Sequence, residues 1–415
     1  MSDEPVTDPL AGRTADRALD AVVREEAASL VASLARWCGD LAVAEESVAD
    51  AIEAAVVAWR RDGVPGRPGA WLHTAARRRA LDRLRRARRH ADKVALLERC
   101  PSEPRPHSHG DERLPLLFAC CHPAIGVDAQ LALTLRAVIG LTTHQIARAF
   151  VVPEATVAQR ISRAKRKVVD AHIPLVVPPR EELASRLDLV LTVLCLTYNE
   201  GHLTTSGAVG HRRDLAEDAI WLARLLDRML PGEPEVQGLL ALLLLSHARD
   251  GGRWDDQGGL VSLAEQDRSR WDLDLVREGI DLVERAGRAR RPGRFQLQAA
   301  IAAVHDEAPS YELTDWSQIV VLYDLLRRHD DSPIVRLNRA VALAHVAGAR
   351  PALEDVEALA GPLDGYHLFH AVRAHLLRQL DRHAEARAAD ERALAMTTNV
   401  AERAVIAARV HAAPA

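Results

Sequence analysis

Bulky and reactive side chains are scarce in this sequence. Aromatic residues fill 4% of the 415 positions, beside three methionines, five cysteines and three lysines. Few windows alternate Val, Ile, Thr or aromatics at period two, so almost no β-strand is expected. The longest unbroken apolar run, Leu239 to Leu245, is far shorter than the roughly 20 residues that span a bilayer. The opening MSDEPVTDPLAG is acidic and has no apolar core. No signal peptide is expected there, and the chain reads as cytoplasmic, with no membrane partner. Cys38, Cys100, Cys120, Cys121 and Cys195 are scattered and odd in number, a pattern of reduced thiols and not of a disulfide frame. Cys120-Cys121-His122 lacks metal-ligand spacing, so buried packing is expected and no metal or other cofactor is assigned. Residues beyond 170 show neither a Gly-rich phosphate loop nor a nucleophile elbow, which argues against an enzyme.

What the chain does have is helix-forming residues and an uneven charge. Hydrophobic content is 48%, carried by Ala and Leu with Arg nearly everywhere, which points to an all-α fold of two or three domains. The net charge of −4 conceals a basic front and an acidic back. Residues 1–170 hold 26 Lys+Arg against 22 Asp+Glu, leaving 28 against 36 for the remainder. All three lysines, Lys93, Lys165 and Lys167, lie in the front. A polyanion-binding half joined to a half with another task is the simplest account.

In order, residues 1–13 read as a disordered leader and 14–38 as an amphipathic helix. Asp40 is placed to cap the next helix, whose core stripe is Leu41, Ala44, Val48, Ile52, Ala55 and Trp59. Glu46, Asp50 and Glu53 share its opposite face. Arg61 to Gly69 is a Gly/Pro loop. The following helix, opened by Trp71, packs Leu72, Ala75, Ala76, Ala80 and Leu84 inward. Its other positions carry Arg77, Arg78, Arg79, Arg83, Arg85, Arg86, Arg88 and Arg89, with only Asp82 among them. Like charges at i,i+4 weaken a helix unless a partner neutralises them, and a phosphate backbone is the fitting partner. A Pro/Ser/His-rich linker follows. Thr142 and Gln145 then form a capping box for a short helix with an apolar side of Ile146, Ala147 and Phe150. Pro153 suits the first turn of a second helix, in which Val157, Ile161, Ala164 and Val168 share one face. Thr156, Gln159, Arg160, Arg163 and Lys167 lie opposite, with Lys165 and Arg166 beside them. This pair reads as a helix-turn-helix or as a helical hairpin with a solvated basic face.

Taken together, residues 14–170 resemble the extracytoplasmic-function class of sigma-70-family RNA polymerase sigma factors. DLAVAEESVADAIEAAVVAW matches the segment that docks on the polymerase β′ clamp helices, which gives Glu46, Asp50 and Glu53 a partner. RDGVPGRPGAWLHTAARRRALDRLRR matches the part that opens and reads the −10 element. GLTTHQIARAFVVPEATVAQRISRAKRKV matches the −35 reader of the helix-turn-helix region 4. The resemblance implies region 2 over 14–95, a linker over 96–112 and region 4 over 113–172, with core polymerase (β′ clamp helices, β flap) and promoter DNA as partners. The loop before the arginine helix holds no aromatic to stack a flipped base, so no residue is assigned to that pocket. FACCHPAI, LTYNEGH, EQDRSRWD and FQLQAAIAAVH resemble the DUF6596-type subgroup, whose C-terminal extension is similar to tetratricopeptide repeats.

After a Pro-rich linker over 173–185, residues 186–415 alternate helical stretches with Gly/Pro turns. Ala340, Leu343, Val346 and Ala352 recur as Ala374, Leu377, Leu380 and Ala386, an offset of 34 residues that fits helical-hairpin repeats. Asn199, Glu200, Asp267, Arg268, Arg270 and Trp271 look too polar for plain repeat packing. They line a groove or bond between helices, and the structural role is slightly favoured. The expected function is a promoter-specificity subunit whose acidic repeat domain contacts and regulates the sigma core in cis. The alternative is a DNA-binding regulator or adaptor that acts without polymerase.

Overall fold

The computed structural model describes residues 9–91, 113–149, 152–202 and 213–411. Among them every regular element is helical, apart from one isolated bridge between Trp254 and Leu260. Two compact units divide the chain after Val193.

The first unit begins with α1 (Pro9–Cys38), α2 (Leu41–Asp62) and α3 (Pro68–Ala91), which pack on one another. Helix α1 starts at Pro9, inside the stretch expected to be a disordered leader; proline suits the first turn of a helix because its missing N–H has no partner there anyway. Residues 1–8 lie outside the described residues, as do 92–112, which include the whole of the expected first linker. Asp40 caps α2, accepting from the N–H of Ala42 and Val43. The stripe of Leu41, Ala44, Val48, Ala55 and Trp59 is buried, while Ile52 is half-buried. Buried Trp59 meets half-buried Trp71 of α3 edge to face at 5.8 Å.

Helices α4 (Arg113–Cys120), α5 (Val127–Ala137), α6 (Thr143–Ala149) and α7 (Glu154–Asp170) complete the unit with the first part of α8 (Arg180–His202). The capping box forms as read. Thr142 N–H donates to Gln145 Oε1 at 2.8 Å and Gln145 N–H to Thr142 Oγ1 at 3.1 Å. Phe150 lies outside the described residues. Pro153 sits at the N-cap of α7, one residue ahead of the first turn. Val157, Ile161, Ala164 and Val168 are all buried, each large aliphatic among them contributing about 1.5–3 kcal/mol by leaving water. Helix α8 starts at Arg180, within the expected Pro-rich linker, because the residues after Pro179 are ordinary helix formers and only the prolines forbid helix. Cys120 and Cys121 are buried at the end of α4; burial drives the Cys121 thiol up to about 12 and pushes that of Cys120 well above its ordinary value. Both are inert packing groups.

The second unit holds α9 (Arg213–Met229), α10 (Pro234–Ala248), α11 (Asp250–Arg253), a 3-10 turn (Arg268–Arg270), α12 (Leu273–Arg288), α13 (Arg294–Glu307) and α14 (Trp316–Leu326). Then come α15 (Pro333–Ala347), α16 (Ala349–Glu357), α17 (Ala360–Leu363), α18 (His367–Gln379), α19 (His383–Met396) and α20 (Val400–His411). Helix α10, which contains the longest apolar run, is the hub, buried nearly all round between α9, α12 and α13. Two glycines permit the close approach. A Cβ on Gly238 would stand 2.6 Å from the Gln296 backbone N, and one on Gly279 would stand 2.6 Å from Leu245 Cγ. One turn before Gly238, Glu235 caps α13, accepting from Phe295 N–H, Gln296 N–H and Gln296 Nε2, each at 3.1 Å. The 34-residue offset is visible as two helical hairpins. Both helices of the pair α15/α16 recur 34 residues later in α18/α19, with Ala340, Ala352, Ala374 and Ala386 buried at the helix contacts. Val346 departs from the pattern and is exposed.

Candidate nucleic-acid interface

The two basic stretches lie in the first unit, and packing sorts their cations. On α3, Arg83 turns toward α2. It donates from Nη1 to Glu46 at 2.9 Å and from Nη2 to Asp50 at 2.7 Å, tying an expected DNA-contacting residue to two expected polymerase-docking ones. Sequence reading kept these sets apart. Arg77 stacks over Trp37, 5.1 Å from the ring centroid. Arg78, Arg79, Arg85 and Arg86 are exposed and have no partner among the described residues. They fall at spacings of seven on one face, an open cationic row. Glu53 on α2 is likewise exposed and without a partner among the described residues.

On α7, burial of the Val157–Val168 stripe directs the polar residues outward in two directions. Gln159, Arg163 and Lys167 are exposed on one face, with Thr156 half-buried beside it. Arg160 is held by Asp128 at the start of α5, at 2.9 Å. On the other side Lys165 pairs with Glu45 of α2, both largely covered, at the edge of a cavity of about 580 Å³ that Asp40, Glu46, Arg136, Ser162 and Arg166 also line. Lys165 is thus committed within the protein, whereas Arg166 keeps an exposed guanidinium. Glu45 and Asp128 went unmarked in the sequence. Nothing in the spacing signals pairs 120 and 32 residues apart.

The polar residues of the second unit act mostly as fasteners. Asp267 caps the 3-10 turn, accepting from Ser269 N–H and Oγ, and these bonds hold its carboxyl below the ordinary range. Arg268 donates to the carbonyls of His305 and Ala308 at 2.7 and 2.9 Å and stacks on Trp271 at 4.4 Å. Trp271 is buried and Arg270 lies on the surface near Asp256. Asn199 is exposed, its amide 3.9 Å from Cys195 Sγ, and Glu200 is half-buried. Asp267, Arg268 and Trp271 are thus engaged in local bonds and ring contacts. Beneath them lies a charged pair the sequence did not mark. Arg249 donates to Asp306 at 3.2 Å, with the Asp306 side chain 0% exposed. Burial pushes Asp306 up to about 6, against the pull of Arg249 and Arg268. Burial, Arg249, Arg268 and His345 push the neighbouring His305 down to about 4.

Comparison with known proteins places family segments on both units. The model for sigma-70 region 2 matches residues 22–90, which span α1 to α3. A family of unknown function, DUF6596, matches residues 186–287. The chain is 43% identical over 383 residues to an uncharacterized protein of Rhizobium meliloti (strain 1021), covering 90% of each. No solved structure matches.

Proposed function

Because the chain belongs to the sigma-70 family of RNA polymerase sigma factors, in the subgroup that carries a DUF6596 segment, we propose that it directs promoter-specific initiation through a two-part grip on DNA. The observation that carries this reading is the coincidence of the region 2 match with the helices that present the open arginine row. Arg78, Arg79, Arg85 and Arg86 grip phosphates around the −10 element, where bidentate guanidinium contacts are strong. Helix α7 enters the major groove at the −35 element and presents Gln159, Arg163 and Lys167. Glu53 contacts polymerase. A sigma factor makes and breaks no covalent bonds itself, and binding energy drives strand opening. The tetratricopeptide-like unit regulates the first, a role motivated by its acidic charge beside a basic front.

Reconstituted transcription tests the reading. With a compatible core enzyme and promoters from its own gene neighbourhood, the chain is expected to direct RNA synthesis from defined start sites; its absence overturns the proposal. Glu53→Lys is expected to abolish co-purification with core enzyme, which separates this reading from a DNA-binding adaptor that needs no polymerase. A protease site placed between His202 and Arg213 extends the assay. If cutting there leaves promoter output unchanged, the regulatory role of the second unit is lost.

A narrower expectation concerns base reading. Arg163→Ala should relax specificity at one or two −35 positions by about 1–3 kcal/mol each, measured on a panel of single-base promoter variants. Lys165→Ala should leave DNA affinity nearly unchanged, since its ammonium already pairs with Glu45.

A further inference from the structure

A cavity of about 210 Å³ opens between α15, α18 and α20. Val341, Leu368, Val372 and Leu376 make its walls apolar, while His345, His375 and Arg409 supply its polar groups; no acidic residue lines it. Arg409 has no partner among the described residues. The nearby Arg378 is already taken by the buried carboxylate of Asp390. His345 is fixed in place: its ring stacks on Trp316 at 3.8 Å and its Nε2 hydrogen-bonds with the Tyr311 hydroxyl at 3.2 Å. Burial, Arg409, His345 and Arg378 together hold His375 below the ordinary histidine range, as an uncompensated positive field does. This field is local. Residues 171–415 carry 28 basic against 36 acidic side chains, so the surrounding chain is acidic.

We propose that this cavity binds a small organic monoanion, its carboxylate held by Arg409 beside His375 and its apolar body lying on Leu368, Val372 and Val341. The volume is below the roughly 300–1,000 Å³ of drug-sized sites, which selects a small acid over a nucleotide. The apolar walls disfavour inorganic phosphate, whose charges would gain one arginine and lose their water elsewhere. A neutral isostere fills the same walls but forfeits the charge-assisted bond to the guanidinium. The site stands apart from the transcriptional reading and survives its failure.

The test uses the full chain and isothermal titration with hexanoate and phenylacetate, each against its amide, hexanamide and phenylacetamide. At least one acid is expected to bind saturably, one per chain, about tenfold more tightly than its amide. Arg409→Gln should remove that advantage and leave amide binding as it was. Arg409 is exposed on the last helix, so this variant should melt at the parent temperature. Val372→Ser should weaken acid and amide alike. The proposal is overturned if neither acid saturates, if acid and amide bind equally, or if Arg409→Gln binds the acids as the parent does.

Discussion

Valine at position 238 is expected to unfold the unit that begins at Leu194. The added Cβ meets the backbone N and Cα of Gln296 at 2.6 and 2.8 Å, in the first turn of α13, where the N–H bonds of Phe295 and Gln296 to Glu235 hold that backbone against α10. Alanine in place of glycine inside a helix normally adds up to about 1 kcal/mol of stability. Overpacking a tight core costs about 1–3 kcal/mol and more when backbone must shift. The clash therefore wins already for Gly238→Ala, and valine adds two methyls to it. Separation of α10 from α13 also pulls Glu235 from the N–H groups it caps, which leaves buried donors unpaired. Gly287→Ala supplies the control, since a Cβ there meets nothing within 4 Å. It should be neutral or mildly stabilising. Urea unfolding of the three variants reads the difference, and a Gly238→Val chain as stable as its parent would refute this account of the hub.

Opposite pH slopes are expected from two neighbouring substitutions. Asp306 ordinarily titrates near 3.8 and is raised to about 6 in the fold. Between those values the folded chain keeps a proton the unfolded chain has lost, so this group's contribution is lost as pH rises. His305 ordinarily titrates near 6.5 and is lowered to about 4. There the unfolded chain binds the extra proton, so stability rises with pH over much the same window. In the parent the two nearly cancel. His305→Gln should leave stability falling from pH 4 to 6, and Asp306→Asn should leave it rising from pH 4 to 6.5, by on the order of 2–3 kcal/mol each. The readout is the difference in slope between the variants, which is independent of the absolute loss when Arg249 surrenders its partner. Parallel slopes would mean that the pair is more hydrated than its burial implies.

What the sequence disclosed followed from periodicity and local chemistry. Val157, Ile161, Ala164 and Val168 could be placed inward because a helix repeats every 3.6 residues, and Thr142 with Gln145 because a capping box closes within one turn. The hairpins 34 residues apart were legible for the same reason: each is built from near neighbours. Charged residues were harder. Arg83 was grouped with DNA-facing arginines, yet it points at Glu46 and Asp50. Lys165 was grouped with phosphate contacts, yet it meets Glu45. The pattern of a helix says which face is wet, not which distant carboxylate will share that water. Nothing in the sequence pattern marks Asp306 or Glu235, because an isolated acid in a helical run looks solvated until the fold buries it.

The acidic row on α2 has one further consequence. Glu45, Glu46 and Asp50 already hold cations of the same chain, so a basic partner settling on this helix swaps one counter-charge for another. Such an exchange yields little net Coulomb energy in half-exposed surroundings. Its dependence on salt is flatter than the number of carboxylates suggests, because ion pairs are present on both sides of the equilibrium. Glu53 alone offers a charge that nothing within the described residues must first release. A partner docking on α2 as proposed would meet Glu53 directly, and would gain Glu45, Glu46 and Asp50 only by displacing Lys165 and Arg83.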